Sequence, residues 1–255
     1  MIQASFDLQP WQWFLALLGA FLVGFSKTGI AGIGALTVAI YANILPARQS
    51  TGVILPMLVC ADIVAVAAYR RHAVWSHLWR LFPWVVIGIV GGFFAMDYIN
   101  DAFIQKSIGC ILIVMVALQL LRKKFMEREN NEANEAIPHG LWFAATTGIL
   151  GGFATMLANA AGPIMILYML AMRLKKMEFL GTGAWYFLIL NIFKLPFSYK
   201  LGLITPQSAD FDLMMAPLVI SGAFLGRFIV RWINQKLFEV LALVFTFIAG
   251  LRLIF

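Results

Sequence analysis

Lys27 is the residue that most constrains the chemistry open to this chain. It stands in the run Gly24-Phe25-Ser26-Lys27-Thr28-Gly29, inside a long apolar stretch, with Gly32 and Gly34 following. A lysine held at membrane depth costs a few kcal/mol on insertion scales, so it is normally paired or functional. The glycines favour a break, and a half-helix restarting near Gly29 would aim its N–H groups and positive dipole end into the same space. Ser26, Lys27, Thr28 and Gly29 are thus candidate ligands for an anion. The plainer reading is a lysine that snorkels or pairs with a carboxylate such as Asp62.

A second interruption, TMLANAAG at 155–162 followed by Pro163, supplies Thr155 and Asn159, with Gly162 starting the next half-helix. The asparagine amide offers two donors and an acceptor, suited to the oxygens of a small oxyanion. Interhelical hydrogen bonding in a packed bundle competes with that role. Farther on, Asn191 and Lys194 are three residues apart and share a helix face, and Thr182 opens the same helix. Outward snorkelling is the rival reading for Lys194. Asp62 reads as the one acid well inside an apolar run, either a lysine partner or a proton-coupling group.

These residues need a scaffold, and composition names it. Of 255 residues, 62% are hydrophobic and 12% charged, with a mean hydropathy of +0.88. A soluble domain carries about 25% charged residues, so a water-soluble fold is excluded. Apolar segments at 10–43, 51–69, 78–96, 103–121, 139–172, 179–199, 211–230 and 237–254 predict an all-α polytopic membrane protein with eight hydrophobic segments. A transmembrane barrel would alternate with period two instead. Segments one and five hold 34 residues each. As straight helices they would extend about 51 Å, against a hydrocarbon layer about 30 Å thick. With their polar interruptions they predict broken or re-entrant hairpins, because irregular backbone is tolerated in lipid only where protein buries it or it lines a cavity.

Charge distribution sets the arrangement. The 122–138 stretch, charged and rich in Asn and Glu, is the one linker-like region and separates membrane repeats at 1–121 and 139–255. If all eight segments crossed, the loops would divide their basic residues almost evenly. If segments one and five are hairpins, thirteen basic residues fall on one face and four on the other, with Lys27 and Lys194 excluded as intramembrane. The positive-inside rule selects the second arrangement, with a cytoplasmic linker and both termini extracytoplasmic. Each half then has three crossings plus a hairpin, which inverts the second half relative to the first. Weak internal similarity follows. Placing Gly24-Phe25 over Gly152-Phe153 sets Lys27 on Thr155, Ala31 on Asn159 and Gly34 on Gly162, and after a short insertion Thr51-Gly52 falls on Thr182-Gly183.

Other classes find little support. The net charge of +7 belongs to cytoplasmic loops, so no nucleic-acid partner is expected. No basic run precedes the first apolar segment, which argues against a cleaved signal peptide. Cys60 and Cys110 read as small apolar side chains, and His72, His77 and His139 lack metal-ligand spacing. No phosphate loop and no Ser/His/Asp or H-E-x-x-H pattern occurs, so neither enzyme activity, cofactor nor metal is expected.

The run GFSKTGIAGIGAL, its echo GGFATMLANAAGP, and TGAWYFLILNIFKLPFSYKLGLI resemble the TauE/SafE sulfite-exporter family across the whole chain. The resemblance implies a secondary transporter in the cell inner membrane for small sulfur-containing or organic anions such as sulfite or organosulfonates. It matches the Gly-rich motif to Gly24, Lys27, Gly29 and Gly32, and the family's N-x-x-K element to Asn191 and Lys194. Members often carry a glycine run where this chain has Ala158-Asn159-Ala160-Ala161-Gly162. Export by alternating access, with the site between the two broken helices, is the expected function. The expected partners are the anion, the bilayer, protons and a second copy in a homodimer. A cation or metal carrier and a non-transporting assembly protein are the alternatives.

Overall fold

The computed structural model describes residues 8–30, 32–96, single positions between 98 and 120, and 141–254. Most of the fourth apolar segment, the 122–138 linker and both chain ends lie outside the described residues. The described part is built of helices: α1 (Pro10–Thr28), α2 (Ile33–Ile44), α3 (Ala47–Tyr69), α4 (Trp75–Ala95), α5 (Leu141–Ala158), α6 (Ala161–Ala171), α7 (Lys176–Lys200), α8 (Pro206–Ile229) and α9 (Gln235–Ile254). Short 3-10 turns at Arg70–His72 and Val230–Trp232 extend α3 and α8.

Local sequence explains several boundaries. α8 begins where Thr205 Oγ1 accepts from the Ser208 N–H and Ser208 Oγ accepts from the Thr205 N–H, with Pro206 in the first helical position. The break after α1 is longer than the sequence suggests. α2 restarts at Ile33, four residues beyond Gly29, and its cap Gly32 has φ 98°, which glycine adopts without a Cβ clash. The second break is tighter. Asn159 takes φ 52°, a left-handed conformation that asparagine tolerates better than most residues.

Five helices among the described residues are long and apolar enough to cross a membrane: Arg48–His72, Trp75–Ala95, Leu141–Ala158, Lys176–Lys200 and Pro206–Trp232. α2 and α6 are shorter and fold back on the helix before them. The Tyr41 hydroxyl, late in α2, donates to the Ala16 carbonyl, early in α1, at 2.9 Å. Tyr168, late in α6, stacks on Phe143, early in α5, with centroids 5.7 Å apart.

Glycine-paved seams join the helices. α1 runs parallel to α8, Trp13 meeting Phe211 near their starts and Gly29 meeting Gly226 near their ends, and the seam is close: a Cβ on Gly24 would lie 1.8 Å from the Val219 carbonyl oxygen. α4 runs parallel to α5 in the same manner, Gly148 lying against Leu81 and Trp84 and Gly92 against Met156 farther along both helices. Small residues let backbones touch where lipid supplies no hydrophobic drive between helices. α3 and α7 run antiparallel, Gly52 meeting Leu203 at one end and Gly181 meeting His72 at the other. Buried side chains form one cluster dominated by α4, α5, α6 and α7, and another from α1, α2, α3 and α8. The outer surface is apolar, with Phe14, Phe94 and Phe224 exposed along helices and Trp11, Trp79, Trp142 and Trp232 near helix ends. Tryptophan at such positions suits the membrane–water interface.

Candidate functional site

The two breaks meet around α3 and α7. Lys27 lies in the last turn of α1, and its Nζ stands 2.8 Å from Asp62 Oδ1 on α3. The other carboxylate oxygen, Oδ2, accepts from Asn191 Nδ2 on α7 at 2.7 Å. Asp62 is 0% exposed and the Lys27 side chain 12%, so this is a buried ion pair open to the interior only from the lysine side. The Lys27 ammonium also sits 4.0 Å from the centre of the Phe187 ring, a favourable placement for a partly desolvated cation. Asn191 Oδ1 is buried and accepts no hydrogen bond.

Lys194, one turn beyond Asn191, is 1% exposed and does not snorkel. Its Nζ donates to the Thr155 carbonyl at 2.9 Å and to Asn159 Oδ1. The Thr155 carbonyl, in the last turn of α5, also accepts from the Asn159 N–H, so the lysine adds a second donor at the negative end of that helix. Asn159 Nδ2 donates in turn to the Thr51 carbonyl at the start of α3, at 2.8 Å. One side chain thereby ties the second break to both α3 and α7.

A cavity opens beside this network, with about 800 Å³ of space free of protein atoms, including solvent at its mouth. Ser26, Lys27, Asn159, Gly162 and Asn191 line it, joined by Gly32 and Gly34 at the start of α2 and Pro163 in α6. Neither Gly32 nor Ala160, the caps of α2 and α6, supplies a side-chain cap to the helix it begins. Two helices therefore begin beside the cavity with no side-chain cap among the described residues. Helix N-termini and a lysine ammonium are groups that favour an anion's oxygens.

The remaining candidates sit elsewhere. Thr28 Oγ1 donates to the Ala223 carbonyl at 2.6 Å, and Gly29 packs on Gly226, so both serve the α1–α8 seam. Thr182 Oγ1 accepts from the Val74 N–H at 2.9 Å, fastening α7 to the turn after α3. Thr155 and Lys194 stand behind Asn159 rather than on the cavity wall. A second buried acid, Asp212, stands near the start of α8 at the edge of its apolar run and is 7% exposed. Sequence reasoning also passed over Phe187 and the wall formed by Leu180, Gly183 and Ala184. Their signal was the face of Asn191 carried backwards in steps of three and four residues, which reaches all four.

Apolar-surfaced helices around a buried polar cavity at two helix breaks form a pattern that recurs in membrane transporters. Among the described residues no cluster of His, Cys, Asp or Glu could hold a metal. The family model described as "Sulfite exporter TauE/SafE" matches residues 16–253, and the chain belongs to that family of membrane anion transporters. No curated protein and no solved structure matches the chain.

Proposed function

We propose that the protein exports small sulfur-containing or organic anions, sulfite and organosulfonates among them, across the cytoplasmic membrane by alternating access. The observation that carries this reading is the convergence of Lys27, Asn159 and Asn191 with two uncapped half-helix starts on one cavity.

The helix directions support an inverted-repeat arrangement with re-entrant hairpins. α1 parallel to α8, α4 parallel to α5 and α3 antiparallel to α7 is the pattern expected if α2 and α6 turn back. If both long segments ran straight through, α3 and α7 would point the same way. The pairings are also reciprocal: the first helix of each half packs on the fourth of the other. Asp62 and Asn191, each fifteen residues past the first residue of its helix, bond across the centre. With the positive-inside orientation, the cavity runs from the breaks along α6 and α7 toward the cytoplasmic face. An inside-negative membrane contributes about 2.3 kcal/mol per charge per 100 mV to expulsion of a monovalent anion.

Sulfite flux from liposomes holding the purified protein tests the proposal, with thermal stabilisation by sulfite as the binding measurement. Flux no faster than in empty liposomes, together with no stabilisation by any anion, would reject it. Asp62 is the candidate for proton coupling. Asp62→Asn should lose the pH dependence of concentrative uptake while exchange between equal anion pools survives; an unchanged pH profile would remove Asp62 from that role.

A further inference from the structure

The cavity has two chemically different ends. At the breaks stand its four polar side chains, Ser26, Lys27, Asn159 and Asn191, and the starts of α2 and α6. Away from them the wall is Ile166 and Met169 on α6 and Phe179, Leu180, Gly183 and Ala184 on α7. Among the described residues, no hydrogen-bonding side chain lines that end. Leu180 precedes Asn191 by eleven residues, about 16 Å of helix, and Met169 follows Gly162 by seven, about 10 Å. A bare oxyanion coordinated by Lys27 and the helix starts would occupy only the polar end. The apolar end gives water few partners, whereas binding sites for organic ligands commonly join an apolar wall to a few convergent polar groups.

Resting on the anion-transport reading above, we infer that the preferred substrate is an organic anion with one sulfonate or carboxylate head and an apolar tail of several carbons. The head lies between Lys27 and the two half-helix starts, and the tail along α6 and α7 beneath Phe187. A tail bearing an ammonium group is disfavoured. The one carboxylate at the site, Asp62, is fully buried and already holds Lys27 and Asn191, and the apolar end offers no acceptor side chain.

The test uses the purified full-length protein and measures binding of sulfite, methanesulfonate, butanesulfonate, hexanesulfonate and taurine by competition and thermal shift. Affinity should rise about fourfold for each added methylene until the apolar end is filled, and taurine should bind more weakly than butanesulfonate. Hexylammonium, with the same tail and the opposite charge, should give no shift. Gly183→Leu fills the apolar end, because a Cβ there points toward the mobile tip of Met169 at 3.5 Å. It should bring the ratio of hexanesulfonate to methanesulfonate affinity close to one. Leu180→Gln, which adds an amide without bulk, should lower the same ratio and stands in if the first variant does not fold. Equal affinities along the series, or a ratio unchanged in both variants, would overturn the tail assignment while sulfite binding leaves the transport reading intact. Loss of response to every anion would instead overturn the transport reading itself.

Discussion

The two helix breaks turn the chain back on itself by different physical means. In the first, between α1 and α2, the backbone is eased by glycine. Gly32 supplies a left-handed conformation, and the principal side-chain tie is the Lys27–Asp62 pair. In the second, between α5 and α6, the turn is two residues long and side chains hold it: Asn159 bonds Thr51 while Lys194 takes the Thr155 carbonyl and the Asn159 amide oxygen. The cation of the first break faces the cavity. That of the second stands behind it. One lysine is thus placed to meet a ligand and the other to hold the wall.

Replacing each lysine in turn separates the two roles most sharply. Lys27→Met should reduce anion flux and affinity by about ten- to hundredfold, the range for losing one hydrogen bond to a charged group. It also strands Asp62, and removing one member of a buried pair costs about 3–5 kcal/mol, so its melting temperature should fall. Adding Asp62→Asn should recover the melting temperature but not the binding. If the double variant binds sulfite as wild type does, Lys27 is only a structural partner of Asp62.

Lys194→Met should show the opposite balance. Loss of its contacts with Thr155 and Asn159 should lower stability by about 2–3 kcal/mol, with a smaller loss of anion affinity than Lys27→Met gives. Thermal unfolding and equilibrium binding on the same preparation check this. A larger affinity loss than that of Lys27→Met would reverse the assigned roles.

Asn159 divides the second break into a conformational and a hydrogen-bonding part. Asn159→Gly loses the bonds to Thr51 and Lys194 but keeps the left-handed backbone; Asn159→Ala loses both. The alanine variant should be less stable than the glycine variant by about 1 kcal/mol. Equal stability would mean that the backbone conformation contributes nothing.

Gly162→Ala should have the smallest effect. A Cβ there meets nothing within 4 Å, so stability should stay within about 0.5 kcal/mol of wild type. A large drop would show that the start of α6 is more closely packed than the first break, where glycine is needed at Gly32.

Much of this architecture is legible in the chain alone, because it depends on short-range properties. Hydropathy reflects the solvent around each segment, so long apolar runs imply membrane helices wherever their partners lie. Glycine, proline and asparagine act on the backbone within a turn, which is why both breaks stand near where their residues place them. Charge in the loops answers to the membrane and sets the expectation for orientation. Partner choice has no such local trace. Asp62 and Asn191 are 129 residues apart and Asn159 and Thr51 are 108 apart, and nothing beside any of them in the chain names the other. Lys194 carries the same sequence signal as a lysine reaching for the interface; only the packing of α7 on α5 brings the Thr155 carbonyl to its ammonium. The same holds for Thr28 and Thr182, whose hydroxyls would suit a ligand but are taken up by Ala223 and Val74. A polar side chain in lipid bonds to whatever the assembled helices bring within reach, and that assembly decided which residues face the cavity.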